Sequence, residues 1–409
     1  MHRLVSISGK ALAALLVAGA AAAAHASAGN GIRLGGSEGR LHPFFDVETR
    51  YDSNVSYTVD DKAVADVILH FRPGMELQLP GDLAALEFSG ALDWAQYLGL
   101  EEDTSNLSRM YGGAQIAALF ARRSPVSLRL DNDFQRRVTT TSLTAVSDPV
   151  VSNVNTFSVS VPWTPGGGAL VFAMNGQWIL EAFEKYQDLP DGAQVGSLSD
   201  LGYSQFRGGA ELQWRFLPRT TALFDASYYS RVPNGSKVNA AGFDGEASGV
   251  DVTMGLTGLL TPRITATIKG GYGSSSTTLK DAASPIADVA LEWLLQDSIS
   301  FRAGYRRFFG VDPTISTFVA DSVSAGARLK IADRFAFRAG IGWDRLDFRA
   351  FPGAETAYLR VDPTLEGTIG GWFSLGLGYV YSARTASIPQ ARVPDYSKNE
   401  AFLKLGLTY

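Results

Sequence analysis

The chain has 409 residues, only 4 of them histidine and none cysteine. Without thiols there is no disulfide, no thiolate metal site and no cysteine for lipid attachment. His2 and His25 fall in the leader-like first stretch, and His42 stands directly before Pro43. His70 is left, at even spacing from Asp66 and Arg72. A catalytic base needs a nucleophile and an orienting group within reach; this spacing gives a solvated wall residue instead. Carboxylates are plentiful enough for a glycosidase pair, but no spacing singles out two of them. Gly166-Gly167-Gly168 reads as a turn, because no helix follows to complete a phosphate cradle. No metal-ligand spacing occurs. The expectation is a protein with no cofactor and no enzymatic activity.

What remains is charge and aromatic surface. Arg302, Arg306, Arg328, Lys330 and Arg338 share the polar parity of three consecutive alternating segments. In a narrow aqueous passage such a patch raises the local concentration of anions. The plainer reading is that these cations pair with carboxylates such as Glu292 and Glu366 and only solvate a wall. Tyr97, Tyr111, Tyr229 and Tyr358 also fall on the polar parity and would suit a sugar path.

These residues must be positioned by strands. Period two is the mark of a strand, whose successive side chains point to opposite faces. The last eleven residues show it well: Ala401, Leu403, Leu405, Leu407 and Tyr409 share one parity, while Lys404, Gly406 and Thr408 share the other. The same pattern recurs from Leu41 onward, at 41–51, 65–79, 84–97, 109–121, 126–137, 154–164, 169–186, 204–216 and 220–230. It continues at 248–260, 264–273, 286–295, 299–307, 318–330, 335–345, 357–369, 373–382 and 399–409. That makes about eighteen strands, an even number suited to a transmembrane barrel. Short links such as Pro80-Gly81-Asp82 and 165–168 alternate with longer polar loops such as 138–153, 187–203, 231–247 and 383–398. Short turns on the periplasmic side and long loops outside are the plan of a barrel inserted from the periplasm.

Residues 1–28 read as a secretory signal peptide, with Arg3 and Lys10 ahead of the Ala11–Ala24 apolar run and small residues around Ala26. Residues 29–40 read as a flexible glycine-rich lead, and 41–409 as one barrel. Charged residues collect on one parity, from Asp46 and Glu48 through Arg207 and Glu211 to Lys404; on the other they are almost absent mid-strand, and Arg307 and Asp321 are read as strand ends. An Arg or Lys facing lipid at mid-bilayer costs roughly 2–4 kcal/mol, so the uncharged face is the lipid face. Aromatics on that face gather near both strand ends, as membrane interfaces require. A ring of this strand number is too wide to fill with side chains, which predicts a water-filled lumen. No helix-length apolar run follows the first thirty residues. The net charge of −5 and the lack of a basic arm exclude nucleic acid as a partner.

At the end of the first strand stands Tyr51-Asp52-Ser53-Asn54-Val55. It resembles the opening-strand pattern of porin-like outer-membrane barrels of exopolysaccharide export systems (the EpsL/Wzp type), and the plan is similar to that of the alginate exporter. The resemblance implies an integral Gram-negative outer-membrane channel that passes a polysaccharide and works with a periplasmic polysaccharide export protein. The residues alone also read this motif as a loop start, where Asp and Asn stabilise turns. The closing strand, with Leu403, Leu405, Leu407 and Tyr409, is similar to the terminal strand that the barrel assembly machinery recognises. Two further functions fit the same architecture. One is a diffusion porin for small solutes, with a long loop of about 14–17 residues folded inward as a constriction; the other is an outer-membrane hydrolase.

Overall fold

The computed structural model describes residues 31–35, 38–100, 104–139, 150–185, 202–235, 245–312, 316–332, 334–387 and 395–409. The signal-peptide reading and the tips of the longest loops lie outside them. So does the expected inward fold of one of those loops.

Alternation does what the sequence predicts. The strands are β1 Arg40–Asp52, β2 Asp66–Leu79, β3 Ala84–Tyr97, β4 Arg109–Phe120, β5 Leu128–Thr139, β6 Val150–Trp163, β7 Leu170–Lys185, β8 Tyr203–Leu217 and β9 Thr220–Pro233. They continue as β10 Ala247–Thr261, β11 Ile264–Thr277, β12 Ala282–Gln296, β13 Ile299–Val311, β14 Thr317–Ile331 and β15 Phe335–Phe348. β16 has two parts, Glu355–Val361 and Thr364–Ile369; β17 is Phe373–Ser387 and β18 Tyr396–Thr408. Each pairs antiparallel with its neighbours in sequence, and β18 returns to β1 from Phe44↔Thr408 to Asp52↔Glu400. The result is a closed up-and-down barrel of eighteen strands. Closure leaves no unpaired sheet edge, which a lipid environment requires. No described helix is long and apolar enough to cross a membrane.

The predicted single strand 357–369 is interrupted at Asp362-Pro363, because Pro363 has no N–H to donate to the ladder. Several strands run three to five residues further toward the long loops than their apolar alternation, as in β11, β13 and β17. Arg307 and Asp321 are therefore not strand ends. They face each other in register on the outer face, 2.8 Å apart, and Tyr305 donates to the same Asp321 carboxylate. Mutual pairing is what lets two charges sit there. Within the lead, Ile32 and Arg33 pair with Leu41 and Arg40. In the short turn between β6 and β7, Gly166, Gly167 and Gly168 have φ values of 53°, 90° and 86°. Glycine takes three consecutive left-handed positions without steric cost, and a strand from Leu170 follows, not a helix, so the segment is a tight turn between strands.

The outer face carries the apolar register: Phe71, Leu92, Met174, Leu256, Ile268 and Leu405 are exposed around the ring. Trp163, Trp214, Trp293 and Tyr409 ring the short-turn end, and Tyr51, Trp94, Tyr228, Tyr272 and Tyr379 ring the other. These are two interfacial belts.

Candidate functional site

The inner wall is where the charges converge. Across the closure seam, Arg50 of β1 bonds Glu400 of β18 at 2.9 Å and Glu48 at 2.6 Å. Lys398 of β18 bonds Asp52 at 2.7 Å, and Lys404 bonds Asp46 at 2.9 Å. The chain of pairs extends sideways. Glu48 meets Arg72 at 2.7 Å, Arg72 meets Asp93 at 2.8 Å, and Asp93 holds the His70 ring at 2.9 Å. His70 is thus one member of an ion-pair ladder on β18, β1, β2 and β3.

The motif at the end of β1 has a structural task. Tyr51 lies in the outer aromatic belt. Asp52 accepts the Asn54 N–H, and Ser53 pairs backbone and side chain with Asn399. The Asn54 amide is fully buried; it donates to the Thr58 and Ser397 carbonyls and accepts the Thr58 N–H. These bonds turn the loop inward. Val55 then packs with Ile68, Ala95, Tyr97, Leu107 and Val151, with Tyr111 and Val138 against them. The adjoining Tyr57 ring lies 3.8 Å under the Lys398 ammonium, and burial holds its phenol well above the ordinary range. Asp66 fixes the next loop, accepting from the Gly99 and Leu100 N–H groups and from Thr104 Oγ1.

A second inward element lies on the other side of the ring. The ends of β13 and β14 carry Phe309, Asp312, Ser316, Thr317 and Val319, all buried, and Phe309 and Val319 pack with Ile286 of β12. Four strands away on β9, Arg231 donates from Nη1 to the Val311 carbonyl at 2.9 Å. Its guanidinium lies 3.5 Å from the centre of the Tyr203 ring. Tyr203 in turn donates to Glu181 at 2.6 Å, as does Ser152.

The lumen is consequently uneven. Toward the long loops, side chains from most strands are buried, among them Asn54, Asp66, Ser152, Thr317, Val319 and Thr356 at 0–1% exposure. Toward the short turns the inward residues Glu87, Arg129, Arg215, Glu292, Arg302, Arg328 and Lys330 are exposed. The lumen is thus more open toward the short turns and more closely packed toward the long loops, where described loop and strand-end residues lie against the wall.

The basic patch lies in the open end. Arg302, Arg328 and Arg338 face the lumen in the predicted register, with Arg328 directly opposite Arg338. Arg338 pairs with Glu366 at 3.2 Å, as the plainer reading expects. Arg302 stands opposite Glu292 in register, yet neither it nor Arg328 nor Lys330 forms an ion pair with a described residue. Arg306 sits higher, its guanidinium 4.7 Å from the Phe308 ring and its buried Nη1 without a partner. The four tyrosines lie toward the packed end but in separate sectors. Tyr97 and Tyr111 join the Val55 cluster. Tyr229 donates to Ser275 beside Arg207, and Tyr358 stands opposite Arg384. They form no continuous line. Sequence reasoning missed Arg231, because its position reads as the start of a polar loop, and it missed the ladder's pairing across the seam. The shared parity of Asp225, Tyr229 and Arg231 is the signal that could have found the first. No cluster able to hold a metal occurs among the described residues.

No family model and no curated protein matches this chain. Solved structures similar to it include outer-membrane β-barrel porins. OpdQ of Pseudomonas aeruginosa is 8% identical with a TM-score of 0.48, over 91% of this chain and 99% of that one. Pseudomonas aeruginosa OpdK with vanillate is 12% identical with a TM-score of 0.46, over 90% and 99%. The FrpB iron transporter of Neisseria meningitidis is 11% identical with a TM-score of 0.46, over 84% of this chain and 62% of that one. Likenesses of this size carry no argument about what passes through the lumen. Closure, the lipid-facing band and the two aromatic belts make the chain an integral barrel of the Gram-negative outer membrane.

Proposed function

We propose that the barrel is a passive diffusion channel for small anionic solutes, narrowed by its own chain at the extracellular end. The observation that carries this reading is the uneven lumen. Arg302, Arg328 and Lys330 stand exposed in the open end without ion-pair partners among the described residues, while the Val55 loop and the ends of β13 and β14 pack against the wall at the other end. Exposed cations in a low-dielectric passage draw in anions, and a packed end restricts what can leave by its size.

The resemblance at Tyr51–Val55 implies polysaccharide export with a periplasmic partner. A polymer needs a wide lumen along its length, whereas here that motif anchors a loop that packs inward against the wall of β2 and β3. A hydrolase would need a nucleophile in reach of its base, and among the described residues no hydroxyl is hydrogen-bonded to His70, whose partner is Asp93. Liposomes carrying the purified barrel test the channel reading. Swelling in small carboxylates, with none in a long oligosaccharide, supports it. A deletion strain that loses surface polymer while keeping solute uptake overturns it in favour of export.

A further inference from the structure

The Arg231 guanidinium is fixed on two sides and unfilled on a third. Nη1 is held by the Val311 carbonyl, and one face lies on Tyr203. The residue is 3% exposed, yet Nε and Nη2 have no hydrogen-bond partner among the described residues. Those two nitrogens form one edge of the guanidinium, the fork that takes both oxygens of a carboxylate in parallel bonds. Leaving charged donors buried and unfilled costs free energy, so the position is pre-organised for an acceptor that no described residue supplies.

The neighbouring carboxylates do not fill it. Glu181 is taken by Tyr203 and Ser152, and Asp312 makes contacts of its own. Both lie within electrostatic reach of Arg231, as does the Tyr229 phenol. Arg137 acts on Tyr203 from β5, and Arg384 and Asp312 act together on Tyr358 from the far side. Arg207, the remaining cation nearby, is closed by Asp251 at 3.0 Å.

We propose that Arg231 is a carboxylate-binding subsite in the narrowed end of the lumen, and that it selects among the solutes admitted by the open end. The proposal rests on the channel reading for its purpose. The subsite itself is a matter of binding and can be tested separately. A bound carboxylate sits against the same guanidinium that anchors Val311, so occupancy and the position of the β13 end are linked.

The test uses the full barrel in nanodiscs, with benzoate as probe, benzamide as its uncharged isostere and inorganic phosphate as a non-planar anion. Binding is followed by isothermal titration calorimetry, and conductance in planar bilayers is recorded separately. Wild type should bind benzoate at one site, benzamide at least tenfold more weakly, and phosphate more weakly than benzoate. Arg231→Lys keeps the charge without the fork and should lose tenfold or more in benzoate affinity; Arg231→Gln should lose at least as much. Tyr203→Phe keeps the stacking face and should retain binding, whereas Tyr203→Ala should weaken it. Native heat-modifiable gel mobility confirms that each variant is folded. Benzoate binding unchanged in Arg231→Lys and Arg231→Gln overturns the subsite, as does equal binding of benzamide. Tighter binding of phosphate than of benzoate overturns the carboxylate assignment. A wild type that binds benzoate but passes no current leaves the subsite standing and overturns the channel reading instead.

Discussion

Arg302, Arg328 and Lys330 are the residues on which the proposed anion preference depends. Their inward direction was legible, because parity fixes the face of every strand residue once one face is known to meet lipid. Which cations are paired was not legible. Arg338 reaches Glu366, whereas Arg302 does not close on Glu292 although the two are in register. That outcome turns on rotamers, which spacing does not encode. Changing Arg302, Arg328 and Lys330 together to Gln should lower the anion-to-cation permeability ratio by about twofold or more, since exposed charges act as a screened field and not as bonds. The reversal potential in a salt gradient measures it. An unchanged ratio would show that the patch only solvates the wall.

At the scale of elements, the closure seam between β1 and β18 joins two kinds of contact. On the lipid side Leu407 stands opposite Phe45, Leu405 opposite Val47 and Leu403 opposite Thr49. On the lumen side Lys398 lies between Asp52 and Glu400, with Lys398 and Asp52 almost wholly buried. Replacing Lys398 by Met leaves two buried carboxylates facing each other, which should destabilise the barrel by about 3–5 kcal/mol; urea unfolding in detergent reads the loss. The terminal Tyr409 is tied at both backbone groups, its N–H to Pro43 and its carbonyl beside His42. Deleting Tyr409 should therefore reduce the heat-modifiable barrel recovered from membranes, and a normal yield would count against its place in assembly. Most strand boundaries could be read within a few residues. The misses fall where the cause of alternation ends. Beyond the bilayer lipid no longer imposes a period of two, so β11 continues through the polar 274–277, β17 through 383–387, and β13 through the unalternating Phe308-Phe309-Gly310-Val311. The break at Asp362-Pro363 was visible as a proline and is explained by its missing donor.

For the whole molecule, the ring of eighteen strands followed from counting alternating segments and their turns, because closure is the one way such a meander can satisfy its edges in lipid. The closer packing of one end did not follow. It depends on contacts between segments far apart in sequence, such as Asn54 with Ser397 and Arg231 with Val311, and no local period reports them. The motif Tyr51–Val55 was legible as a loop start, and its bonds to Thr58 and Ser397 show why those residue types serve there. The central claim is a lumen open at the short turns and narrowed at the long loops. Single-channel conductance with neutral polyethylene glycols of graded size, added to one side at a time, tests it most directly. The account predicts that larger polymers enter and depress the current from the short-turn side than from the long-loop side. Equal size cut-offs from the two sides, or entry of the larger polymers from the long-loop side, would contradict it.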